Sequence, residues 1–110
     1  MIRVASIDEI PVGAVKHVEV EGEEIVIVNA GTHLYALSDV CSHEYALLSG
    51  GEVDLDRGTI ECPKHGSTFD LETGAPQTLP AVLPVRTYGV RLEGDDVMVE
   101  VLEDRQEAAS

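Results

Sequence analysis

Tryptophan is absent from this sequence, aromatic residues make up 4% of it, and there are only two cysteines. Without stacking side chains the chain is poorly equipped to hold single-stranded nucleic acid. Seven Lys and Arg stand against 21 Asp and Glu, and the formal charge of −14 repels phosphate backbones and anionic lipid surfaces. Neither nucleic acid nor membrane is therefore expected as a partner, whereas a protein with a basic docking face is. No apolar run approaches the roughly 20 residues that cross a bilayer, and Met1 to Val20 lack a signal-peptide pattern. A cytoplasmic location is expected, where disulfides are uncommon and paired cysteines more often bind metals or carry redox chemistry. At 110 residues the chain suffices for one domain, which argues against an enzyme with a second, catalytic domain.

Helical periodicity is also missing, apart from one short turn at Ser6 to Ile10. Strand signals are frequent instead. Ala14 to Val20 alternates apolar and polar residues and runs into a turn at Glu21-Gly22. Ile25 to Val28 is a β-branched run of the kind a strand buried on both faces carries. Asn29-Ala30-Gly31 reads as a turn, Thr32 to Ser38 as a strand. Val85 to Glu93 and Val97 to Val101 read as a hairpin around Gly94-Asp95. The sequence thus predicts an all-β domain over residues 1–102, with a polar, frayed tail at 103–110. Between about 39 and 84 the pattern breaks into short strands (Thr59 to Glu61, Thr68 to Leu71) separated by Cys, His, Gly and Pro. This stretch is expected to be a loop-rich insert on a β-scaffold, a usual seat for functional groups.

Both cysteines fall in that insert, each followed closely by a histidine: Cys41-Ser42-His43 and Cys62-Pro63-Lys64-His65. The 18 residues 44–61 lie between the two units. A mononuclear zinc finger usually draws two Cys from one knuckle and two His from another. Two loops that each offer one thiolate and one imidazole suit a two-iron centre, with both thiolates on one iron and both imidazoles on the other. Two other readings stand beside this one. A Cys41–Cys62 disulfide leaves both histidines without a role, and a zinc-stabilised interaction module would use the same four residues. His17 and His33 sit in strand-like stretches and are expected to be ordinary sheet or surface residues.

The pattern C-x-H…C-x-x-H resembles the Rieske family, and Cys62-Pro63-Lys64-His65-Gly66-Ser67-Thr68-Phe69-Asp70 with Thr73-Gly74 matches its second loop closely. Leu79-Pro80-Ala81 is similar to the loop that covers the cluster in that family. The resemblance implies an antiparallel β-sandwich or barrel with an inserted cluster-binding subdomain. It also implies one [2Fe–2S] cluster on Cys41, His43, Cys62 and His65. Imidazole in place of thiolate raises the potential relative to all-Cys ferredoxins. Departures narrow the class. Members that oxidise quinols carry a further cysteine in each loop, which this chain lacks. Ser67 keeps one hydroxyl donor, but Phe69 occupies the position of a donating Tyr, which implies a lower potential. The chain therefore resembles the ferredoxins of aromatic-ring-hydroxylating oxygenase systems, although its spacer is slightly longer than theirs. Gly50-Gly51 and the 54–58 stretch are expected to absorb the difference at the surface. The implied partners are a flavin-dependent NAD(P)H reductase and a terminal oxygenase or other acceptor. A nitrite reductase or an iron–sulfur assembly system are alternative hosts. Tyr45, Ala46, Leu47, Pro63 and Lys64 are the expected docking residues, and no catalytic group is implied.

Overall fold

The computed structural model describes residues 2–41, 46–64, 66–79 and 83–101. Among the described residues nine strands form two antiparallel sheets: β1 (Ile2–Ser6), β2 (Val15–Val20), β3 (Glu23–Asn29), β4 (Leu34–Ser38), β5 (Val53–Asp54), β6 (Thr59–Glu61), β7 (Thr68–Asp70), β8 (Thr87–Glu93) and β9 (Asp96–Glu100). The larger sheet has the order β1-β9-β8-β4-β3-β2, and its edges β1 and β2 approach each other, so it nearly closes into a barrel. The smaller sheet has the order β5-β6-β7. The protein is all-β, with an antiparallel barrel-like sheet and a small sheet beside it.

Hairpin chemistry sets the register of the barrel. Glu21 and Gly22 both take positive φ, 52° and 82°, the backbone of a tight turn whose twist suits the flanking strands. Val20 consequently faces Glu23 and Val15 faces Val28. The run Ile25-Val26-Ile27-Val28 is wholly buried on both faces. Ile25 and Ile27 point into the barrel with Val18, Val20, Ala36, Tyr88, Val97 and Val99. Val26 and Val28 point outward into a second apolar cluster with Leu37, Cys41, Leu48, Ile60, Cys62, Phe69, Leu71 and Val85. That second cluster is the seam along which the small sheet packs on the barrel, which is why the centre of β3, Ile25 to Val28, has no polar face.

Three short elements were not expected from the pattern. β1 carries a register shift between Arg3 and Ala5, which breaks its alternation. β5 is only two residues long, and a 3-10 turn covers Leu48–Gly50. The expected turn at Ser6 to Ile10 is present as a 3-10 turn at Ile7–Glu9, where the Glu9 carboxylate accepts the Ser6 N–H. The 103–110 tail and Pro80 to Val82 lie outside the described residues.

Candidate metal centre

The barrel delivers Cys41 and the small sheet delivers Cys62. Cys41 follows β4, and its N–H donates to the Ala46 carbonyl at 2.9 Å. Val40 forms an isolated antiparallel bridge with Leu47, and the Leu48 N–H donates to the Asp39 carbonyl at 2.7 Å. The first loop is therefore a narrow neck with Cys41 at its top. Cys62 follows β6, and its N–H donates to the Ser67 carbonyl at 2.7 Å, while the Gly66 N–H returns to the Cys62 carbonyl at 3.0 Å. In both loops the cysteine N–H closes on the residue five positions on. The two units are thus closed alike at their base, and in sequence one has His at the second position after Cys and the other at the third.

Cys41 is 4% exposed and Cys62 is fully buried. Both lie in the seam cluster and neither is in a disulfide. The disulfide reading is set aside by this. Two thiols held in one apolar cluster without a bond between them suit metal ligation, because a thiolate there needs a cation to offset its burial. His43 and His65, with Tyr45, lie outside the described residues. Of the expected docking residues, Pro63 and Lys64 are exposed, while Ala46 and Leu47 are half-buried.

The two loops are locked together at Gly51. A Cβ placed there would lie 1.7 Å from the Glu61 carbonyl oxygen and 3.3 Å from Pro63 Cδ. The Glu61 N–H also donates to the Glu52 carbonyl at 2.8 Å. Gly51 is therefore a contact between the segment after the first loop and the base of the second, and not surface slack. The 54–58 stretch is largely exposed and turns on Asp54, whose carboxylate accepts the N–H groups of Asp56 and Arg57.

Sequence reasoning missed one group at this centre. Asp39 is completely buried, and its carboxylate accepts the Ser49 N–H at 2.6 Å and the Ser49 hydroxyl at 2.7 Å. His17 Nδ1 lies 2.5 Å from Asp39 Oδ2, the oxygen that also accepts the Ser49 hydroxyl. His17, expected to be an ordinary sheet residue, thus reaches from the outer face of β2 to the neck of the Cys41 loop. A charged residue two positions ahead of a ligand candidate was the available signal.

The chain belongs to the Rieske [2Fe-2S] domain family, whose model matches residues 1–89. It is 36% identical over 101 residues to the ferredoxin component of biphenyl 2,3-dioxygenase from Rhodococcus jostii, covering 92% of each chain. Among solved structures it resembles the ferredoxin of carbazole 1,9a-dioxygenase from Nocardioides aromaticivorans, with a TM-score of 0.86, 42% identity, and coverage of 89% of this chain and 94% of that one. It also matches a chain in the complex of reduced oxygenase and oxidized ferredoxin in carbazole 1,9a-dioxygenase, with a TM-score of 0.83 and 30% identity. That match covers 90% of this chain and 100% of the other. The cofactor is accordingly a [2Fe–2S] cluster, and the protein is an electron carrier. Among the described residues no helix is long and apolar enough to cross a membrane.

Proposed function

We propose that Cys41 and Cys62 bind one iron of the cluster and His43 and His65 the other. In this reading the chain relays single electrons from a flavin-dependent NAD(P)H reductase to the terminal oxygenase of an aromatic-ring dioxygenase system. The observation that carries the assignment is the pair of buried, unbridged thiols, each at the mouth of a loop closed by the same backbone bond. The cluster, when bound, accepts and returns one electron. The chain's own residues hold it at the seam between barrel and small sheet, where Phe69, Leu48 and Ile60 exclude water. No side chain is asked to act as nucleophile or general base, so the protein turns over no substrate by itself.

The choice of acceptor is supported by relatives that are ferredoxin components of dioxygenases. The match to the ferredoxin-oxygenase complex supports direct docking on an oxygenase. The charge of −14 suits a partner with a basic face, and the exposure of Pro63 and Lys64 supports docking at the second loop. The domain is read as 1–102 with the cluster-binding insert at about 39–84, and its place as the cytoplasm.

Anaerobic reconstitution with iron and sulfide tests this. The protein is expected to gain a visible chromophore that bleaches when NADH and a dioxygenase-type flavoprotein reductase are added, and that returns on adding the oxidised oxygenase. A colourless protein that retains zinc and takes up no iron would contradict it.

A further inference from the structure

We propose that Asp39 is a positioning residue for electron transfer: its buried carboxylate, clamped by Ser49 and His17, fixes the neck of the Cys41 loop and sets the redox potential of the cluster there. The proposal rests on the reading of Cys41 as a cluster ligand.

A fully buried carboxylate is costly unless its oxygens are saturated with donors. Asp39 meets that condition with partners from two separate parts of the chain. Ser49 supplies two donors from the 3-10 turn that follows the loop, at 2.6 and 2.7 Å. His17 supplies the third contact, 2.5 Å away, from the middle of β2. The main chain of Asp39 is equally tied, its N–H to the Glu24 carbonyl at 2.9 Å and its carbonyl to the Leu48 N–H at 2.7 Å. Above it come the Val40–Leu47 bridge and the Cys41–Ala46 bond. Asp39 is therefore the bottom rung of the ladder that holds Cys41, and its side chain ties that rung to β2 of the barrel.

A well-packed apolar residue would usually serve stability as well as a buried charge. What an apolar residue cannot supply is a fixed negative charge two residues from the ligand and a geometry set by three directed bonds. A buried negative charge opposes the arrival of an electron nearby, so Asp39 holds the potential down. The directed bonds keep the loop from shifting as the charge of its ligand changes, which favours fast exchange.

The test uses the reconstituted holoprotein and reads midpoint potential, the electron paramagnetic resonance spectrum of the reduced form, and the rate of iron loss to a chelator. Asp39→Asn keeps the shape and removes the charge, and a positive shift of the potential is expected. Ser49→Ala keeps the charge and removes a clamp, and iron loss is expected to quicken about fivefold, the effect of one lost hydrogen bond. His17→Gln changes a half-exposed side chain and keeps a hydrogen-bond donor on it. It is expected to alter the resonance spectrum even if Asp39→Asn does not fold. Wild-type potential, spectrum and iron-loss rate in Ser49→Ala and His17→Gln, with only the melting temperature lowered, would overturn the proposal. A Cys41→Ser variant that keeps the wild-type iron content and spectrum would instead overturn the ligand assignment beneath it.

Discussion

Gly51, between the two cysteine loops, and Tyr88, on β8 of the barrel, show how single residues constrain this molecule. At Gly51 any Cβ meets the Glu61 carbonyl at 1.7 Å, and backbone cannot step aside as a flexible side chain can. Gly51→Ala is expected to cost about 2 kcal/mol or more and to lower iron retention, as measured by urea unfolding and iron analysis. Tyr88 is 6% exposed and donates its hydroxyl to Glu23 at 2.8 Å. Burial, then the bond to the Glu23 carboxylate, pushes its phenol up to about 12 from 10.0. The folded state thus favours the protonated phenol. Its contribution to stability is fully present below the unfolded value near 10 and is lost as pH rises toward 12. Unfolding midpoints compared at about pH 9 and about pH 11.5 should fall more in the wild type than in Tyr88→Phe. Neither residue stood out in the sequence. Gly50-Gly51 looked like slack because two glycines signal a turn, and the contact that makes Gly51 indispensable comes from Glu61, ten positions on. Cys41 and Cys62 were legible because their spacing and flanking residues form a local pattern. Asp39, Ser49 and His17 were not, because they meet only after β2, β4 and the Leu48–Gly50 turn have packed.

At the scale of elements, the hairpin β6–β7 and the strand-like segment after it carry the second loop. β7 ends at Asp70, whose carboxylate accepts the N–H groups of Glu72 and Thr73 and the Thr73 hydroxyl. This turn folds the chain back so that the Gln77 N–H donates to the Thr68 carbonyl at 2.7 Å, and Phe69 bridges Pro76. Asp70→Ala removes one acceptor serving three donors at a half-buried position. It is expected to lower stability by about 1–2 kcal/mol in chemical unfolding, with the visible spectrum of the remaining holoprotein unchanged. The hairpins of the barrel were readable because the alternation of β2, β8 and β9 and the β-branched run of β3 agree with the turn residues between them. β1 and β5 were not. A bulge breaks the first pattern, and two residues are too few to show the second.

For the whole molecule the dominant feature is charge. With 21 acidic and seven basic residues, the long-range field steers any basic redox partner toward the protein and weakens within about 10 Å at 0.1 M salt. Reduction of ferricytochrome c, a basic one-electron acceptor, is expected to slow by on the order of tenfold between low and high ionic strength. Stopped-flow mixing at a series of salt concentrations checks this, and a salt-independent rate would show that the net charge plays no part in encounter. The family membership and the two buried thiols support the central proposal, that two cysteines and two histidines hold the [2Fe–2S] cluster. The most direct measurement is pulsed electron paramagnetic resonance on the reduced protein, prepared once with ordinary and once with nitrogen-15 histidine. Nitrogen couplings that change with the label, and that diminish separately in His43→Cys and His65→Cys, are the predicted result. A spectrum indifferent to the label would contradict the account.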